Sequence, residues 1–252
     1  LGGKGLGLKY IYDRMDLSVD PLGEGNILAF MMGVLIATNA PCSGRFAAVT
    51  KSPLTGIMAS ASCGGPFGIA YKTAGYDGLL ISGKADQPVY LVIDANGVQF
   101  EDATALWGKS TGETQEALHL SKDDGAVVIG PAGENKVLYA NIRSGHRFLG
   151  RGGMGAVMGA KNLKAIVAKG KAYKIAPKDP DKFARVRRRS LKYIKNSPFT
   201  SKFYRHFGTR YNVNLTNNGC ILPVYNFRDG SDERASAVSG QAMHAKYHSK
   251  PS

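Results

Sequence analysis

The residues of this chain best suited to chemistry lie in two glycine-rich turns flanked by arginine. The longer is GHRFLGRGGMGAVMGAKNLKAI, residues 145–166, where Arg147 and Arg151 sit among Gly150, Gly152 and Gly153 ahead of a periodic apolar run. The shorter is SCGGPFG, residues 62–68, with Ser62, Gly64 and Gly65 at its head and Arg45 on the strand before it. Glycine permits positive φ and close backbone approach, so successive N–H groups can converge on an anion. A helix that follows adds unpaired amides, and arginine supplies a planar fork for phosphate. These types and spacings predict cradles for a phosphate-bearing ligand at 62–68 and 145–155.

Reacting groups are scarce beside them. Gly150, Gly152 and Gly155 satisfy GxGxxG, but a dinucleotide fold needs a strand running into the motif and an acid about 20 residues on. The preceding residues are RSGHRFL and those near 171–175 are KAYKI, so that fold is set aside. GGKGLG at 2–7 lacks the spacing altogether, and no stretch is a GxxxxGK[ST] loop. His146 is expected to play a structural hydrogen-bonding part, and Cys42 and Cys63 to pack as small buried residues. The three cysteines, Cys42, Cys63 and Cys220, form no CxxC, zinc or disulfide pattern, which points to a reducing, cytoplasmic compartment. No Ser/His/Asp order or carboxylate pair stands out.

The turns need elements to position them. GLGLKYIYDRM reads as a helix; NILAFMM, GRFAAVTKS and LTGIMASAS read as strands, and CGGPFGIAYKTAG turns into a short helix. DGLLISG and PVYLVID are strands, the latter meeting GVQFED across the hairpin signal ANG. STGETQEALHLS reads as a helix capped by Ser110 or Thr111, with AVVIG and KVLYANI as strands after it. Segments 64–84 and 152–171 form a weak repeat: Gly-Gly, a short helix carrying lysine, an apolar strand, then Gly-Lys. Two half-sites of that kind suit a ligand with two similar phosphate-bearing halves.

With 252 residues, 43% of them hydrophobic, and 32 glycines against 11 prolines, the chain can bury a sizeable core and is neither collagen-like nor disordered. No apolar run reaches the ~18 residues of a membrane span. The net charge of +14 concentrates in 171–210, where KFARVRRRSLKYIKNS predicts a basic amphipathic helix bearing Phe183, Val186, Leu191 and Ile194 near one side. No zinc finger, RNA-binding aromatic signature or helix-turn-helix accompanies it, so a solvated or subunit-facing helix is expected rather than a nucleic-acid reader. Charge alone would favour a basic nucleic-acid-binding module, and the loops alone a non-enzymatic phosphate-ligand-binding domain. The chain opens at Leu1 inside a glycine motif and stops at KYHSKPS, so both ends read as cut from something longer.

APCSGRFAAVTKSPLTG, GGPFGIAYKTAGYDGLLISGKA, IGPAGEN and GHRFLGRGGMGAVMGAKNLKAI, in that order, resemble the N-terminal part of the aldehyde ferredoxin oxidoreductase family. The resemblance runs to about residue 172 and continues more loosely in NNGCILPVYNF and SGQAMHAKYHSKPS. It implies an α+β fold in which two β-sheets with approximate twofold symmetry form the base for the cofactor. Residues 1–175 would be that tungstopterin/molybdopterin-binding domain, without its first strands, and 176–252 the start of a mainly helical domain. The cofactor implied is a tungsten (or molybdenum) bis-pterin with a magnesium ion joining its phosphates.

Under the resemblance, Arg45, Ser62, Gly64, Gly65, Arg147, Phe148, Gly150, Arg151, Gly152 and Gly153 contact the cofactor, and Ser62 and Phe148 offer backbone carbonyls to magnesium. Ser62 stands where the family often has asparagine, and Phe148 where alanine is common. The implied activity is oxidation of an aldehyde to a carboxylic acid, with electrons leaving through a 4Fe–4S cluster to ferredoxin or an electron-transfer subunit. The cluster cysteines and the acid/base residues are expected downstream of Ser252, so the 4Fe–4S cluster belongs to the full-length enzyme and no catalytic residue is assigned here. Neither nucleic acid nor membrane is implied as a partner; a homo-oligomer is left open.

Overall fold

A computed structural model describes residues 2–247. The chain divides into two compact units between Lys178 and Asp179. The first begins with helix α1 (Gly3–Arg14) and strands β1 (Leu28–Met32), β2 (Phe46–Lys51) and β3 (Met58–Cys63). Helix α2 (Pro66–Thr73) and strand β4 (Gly78–Ile81) complete a sheet of order β3-β2-β1-β4, antiparallel throughout. β5 (Val89–Asp94) and β6 (Gly97–Asp102) form the expected hairpin.

Helix α3 (Thr111–Ala117) follows, begun by a capping box in which Ser110 and Glu113 satisfy each other's backbone N–H. Then come β7 (Gly125–Val128), the short α4 (Pro131–Glu134), β8 (Ile142–Ser144), β9 (Arg147–Leu149), α5 (Met154–Ala160) and β10 (Leu163–Ala168). The second sheet has the order β6-β5-β10-β7-β8-β9, with β5 parallel to β10 and the other pairs antiparallel.

The repeat is therefore topological. β9-β8-β7-β10 has the neighbours and directions of β3-β2-β1-β4, and in each set a Gly-Gly turn and a short helix link the edge strand to the last strand. One hydrophobic core joins both sets: Phe30 and Phe46 from the first sheet, Val127, Ile142 and Ile166 from the second, and Phe67, Tyr71 and Val157 from α2 and α5. Phe67 meets Phe46 and Phe30 edge-on at ring separations of 5.2 and 6.0 Å. α1 covers the outer face of the first sheet through Ile11, Met31 and Val49.

KVLYANI is not a strand. The strand begins at Ile142, and the segment before it turns back so that the Ala140 carbonyl accepts the Gly155 N–H at the start of α5. RSGHRFL, which the sequence offers no strand signal for, lies in the hairpin β8–β9, so a strand does run into Gly150.

In the second unit, α6 (Pro180–Asn196) is the basic helix, capped by the Asp179 carboxylate on the Lys182 N–H, with no buried residue. A π-helical turn (Phe199–Phe203), α7 (Tyr204–Phe207), α8 (Asn212–Asn218) and α9 (Gly240–Tyr247) follow. An aromatic cluster organises them, with Phe203 stacked on Tyr211 at 4.7 Å. Among the described residues no helix is long and apolar enough to cross a membrane.

Candidate functional site

The two glycine turns rest on each other's half. Gly65 has φ +99°, and a Cβ there would stand 2.6 Å from the Ser144 carbonyl oxygen of β8. Gly64, beside it, faces open space bounded by Arg147 Cγ, 3.9 Å from where its Cβ would be. In return, Gly152 packs on Ala59 of β3, and Gly153, with φ +64°, lies so close to the Leu138 carbonyl and to Pro53 that no side chain fits. Only glycine meets both demands at 65 and 153, positive φ and close backbone approach.

Arg45, just ahead of β2, donates from Nη1 to the carbonyl and hydroxyl oxygens of Ser62, both at 3.2 Å. Cys63, next to Ser62 at the end of β3, is buried, and burial pushes its thiol up to about 11 against the pull of Arg45 and Arg147. Arg45 bonds Ser62 and Arg147 Cγ approaches Gly64, so both arginines stand at the end of β3. Arg45, Arg147 and Arg151 are exposed, as are Ser62, Phe148 and Gly150, and a Cβ on Gly150 would meet nothing within 4 Å.

The hairpin that carries Arg147 and Phe148 is held by Arg143, which the sequence did not single out. Its Nε donates to the Gly145 carbonyl at 2.7 Å and its Nη1 to the Thr111 hydroxyl at 3.2 Å, and its guanidinium lies 5.9 Å from the Phe148 ring centroid. The signal was available only in three dimensions, since Thr111 is remote in sequence. In the hairpin itself, the buried Ser144 Oγ has no hydrogen-bond partner among the described residues.

Two expectations need correction. His146 is exposed at the hairpin tip and makes no side-chain hydrogen bond among the described residues, so it has no structural bonding role there. Cys42 is exposed rather than packed, while Cys63 is buried as expected. In addition, α5 contributes less free backbone than anticipated, because the Gly155 N–H is engaged by Ala140. The anion-binding capacity of the second turn rests on Arg147, Arg151 and the turn backbone.

Among the described residues, no three His, Cys, Asp or Glu side chains come together as a metal site. The arrangement offers guanidinium groups, hydroxyls and open glycine backbone, which suits an organic phosphate. A Cβ on Gly150 would meet nothing within 4 Å and one on Gly64 only Arg147 Cγ at 3.9 Å, so the backbone is open at both turns.

A family model described as the N-terminal domain of aldehyde ferredoxin oxidoreductase matches residues 1–170, and one described as domains 2 and 3 of the same enzyme matches 185–252. The chain is 46% identical over 252 residues to a tungsten-containing aldehyde ferredoxin oxidoreductase of Pyrococcus abyssi, covering 98% of this chain and 41% of that one. It is 34% identical over 227 residues to the WOR-like subunit of an aliphatic sulfonate oxidoreductase of Pyrococcus furiosus, covering 82% and 35%. Among solved structures, the active-site complex BamBC of benzoyl coenzyme A reductase with 1,5-dienoyl-CoA matches at TM-score 0.74 and 38% identity, over 77% of this chain and 30% of that one. The chain spans about two fifths of the length of the first of these relatives.

Proposed function

This chain belongs to the aldehyde ferredoxin oxidoreductase family, and from that premise we propose that its first unit seats a tungsten bis-pterin cofactor on the paired glycine turns. The observation that carries the proposal is the shared strand order of the two halves, which sets one glycine turn against the other with Arg45 and Arg147 at their meeting point. A ligand of two like halves matches a protein surface of two like halves.

Arg45, Arg147 and Arg151 hold the phosphates, and the backbone around Gly64, Gly65, Gly150, Gly152 and Gly153 lets the ring systems lie close. The Ser62 and Phe148 carbonyls would hold a magnesium ion that neutralises phosphate charge. Ser62 O already accepts from Arg45, so that role requires the guanidinium to turn toward phosphate when the ion is present. When bound, the cofactor supplies the two-electron chemistry; this chain's residues bind it, orient it and limit water around it.

The activity proposed for the whole enzyme is oxidation of an aldehyde with water to a carboxylic acid. Two electrons and two protons leave, the electrons through a 4Fe–4S cluster to ferredoxin or an electron-transfer subunit. Identity to an aldehyde-oxidising relative along nearly the whole chain supports the aldehyde as substrate. The test is anaerobic purification of the full-length protein and aldehyde-dependent reduction of a viologen dye. Turnover with tungsten bound supports the proposal, and a tungsten-loaded protein inert to every aldehyde class removes the substrate assignment.

A further inference from the structure

Residues 2–7, GGKGLG, lack nucleotide-loop spacing and take no part in the two glycine turns, yet the fold brings Gly3 and Lys4 into one cavity with Arg45. A cavity of about 430 Å³ opens between the first turn of α1 and the strands β2 and β3, lined by Gly3, Lys4, Arg45, Ser60 and Ser62. The glycine sequence of α1 explains why the helix reaches this place. Gly7 is buried on the sheet, where a Cβ would stand 2.8 Å from Val49 Cγ2 and 3.3 Å from Met31 Cγ. With Ile11 fully buried one turn on, the helix rides directly on β1 and β2 and delivers Lys4 to the cavity.

Phe46, Ala47 and Ala61 supply the apolar part of the lining, and its charged groups are of one sign. Ser60 and Ser62 are two apart on β3 and so share a face. Lys4 and Arg45 are both exposed, and no carboxylate lines the cavity. Among the described residues Lys4 makes no ion pair, whereas Lys9 on the same helix pairs with Asp13. Two cations and two hydroxyls around one opening, without an acid to balance them, favour an anion.

We propose that Lys4, with Arg45 and the Ser60 and Ser62 hydroxyls, binds a phosphate group of the cofactor in the first half-site. This rests on the cofactor seat proposed above and adds a binding residue from α1 to it. The cavity takes its lining from α1 and the first sheet, so this lysine adds its charge to the first half-site.

The test uses full-length protein with Lys4→Ala, Lys4→Arg and, as a control cation on the same helix, Lys9→Ala. Pterin content is measured on anaerobically purified protein, and pyrophosphate affinity on the cofactor-stripped protein by calorimetry at several salt concentrations. Losing one charge-assisted phosphate contact should weaken pyrophosphate binding about tenfold in Lys4→Ala and flatten its salt dependence. Lys4→Arg should retain binding, and Lys9→Ala should match the parent protein. Unchanged affinity and pterin content in Lys4→Ala, while Arg45→Ala loses both, would overturn the role of Lys4 and leave the seat intact. So would loss of binding in Lys4→Ala that Lys4→Arg fails to restore, since that marks a structural residue. If Arg45→Ala and Arg147→Ala also leave pterin in place, the seat itself is wrong.

Discussion

Gly65 and Ser144 lie in opposite halves of the first unit, and a Cβ on the glycine would stand 2.6 Å from the serine's carbonyl oxygen. The contact fixes the first glycine turn on the hairpin that carries Arg147, so the geometry of one half-site depends on the other. Gly65→Ala would add this clash to the cost of holding a residue with a Cβ at φ +99°, ψ 177°, about 1–3 kcal/mol from the backbone alone. We expect Gly65→Ala to lower both unfolding stability and pterin content. Gly150→Ala, whose Cβ would meet nothing within 4 Å, should leave stability unchanged in urea denaturation. Equal stability of the two variants would show that the halves do not depend on this contact.

Arg147 is exposed on a hairpin anchored by Arg143, so its side chain can be removed without disturbing the core. Arg147→Ala should keep the parent's unfolding midpoint and lose a phosphate contact worth roughly 1.5–3 kcal/mol, which reduces retention of pterin and tungsten about tenfold or more. Thr111→Val, which removes a partner of Arg143, should produce a smaller loss by loosening the hairpin. Metal analysis and pterin fluorescence on gel-filtered protein read both effects. Full metal and pterin in Arg147→Ala would remove the residue from the site.

The ion pair of Lys164 with Glu134 is buried, and Lys164 also donates to the Lys109 carbonyl at 2.8 Å while Glu134 accepts the Gly108 N–H at 2.9 Å. Removing one partner leaves a buried charge, so Lys164→Ala should cost about 3–5 kcal/mol. Glu134→Leu/Lys164→Met together should recover most of that loss, because the desolvation of both charges disappears with them. Denaturant midpoints of the single and double variants test this, and a double variant as unstable as the single one would contradict it.

Lys161, buried at the end of α5, donates to the Glu24 and Gly83 carbonyls at 3.3 and 3.0 Å, and burial pushes its amine down to about 8 while Glu24 pulls it up. Below about 8 the amine is charged in both folded and unfolded chains. From there toward the ordinary lysine value of 10.5 the unfolded chain holds the proton and the folded chain does not, so this group's contribution to stability rises with pH. Cys63 acts in the opposite sense above its ordinary value of 9.0, which makes the interval between about pH 7.5 and 9 the informative one. Relative to Lys161→Met, the parent protein should gain stability across that interval. A difference that stays flat or falls would contradict the shift.

Much of this architecture was legible in the chain. The Gly-Gly-helix-strand-Gly-Lys repeat marked the two halves, and the turn ANG marked the hairpin of Val89–Asp94 with Gly97–Asp102. The hairpin of Ile142–Ser144 with Arg147–Leu149 escaped, because its strands are three residues each, too short for an alternating pattern to show. KVLYANI misled for the converse reason. Its apolar composition suits a strand, but the Ala140 carbonyl accepts the Gly155 N–H at the start of α5 and Gly153 packs against the Leu138 carbonyl. Candidate arginines and glycines were readable as types, whereas Arg143, Ser144 and Lys4 gain meaning only from the folded neighbours that position them.

The central claim is that this chain seats a cofactor of two pterins on two like half-sites. It is tested most directly by the ratio of pterin to tungsten in full-length protein purified without oxygen, each quantified after denaturation. The account predicts about two pterins per tungsten, both diminished in Arg45→Ala and Arg147→Ala. A fully active, tungsten-loaded enzyme with a single pterin per metal, or with pterin indifferent to both arginines, would contradict it.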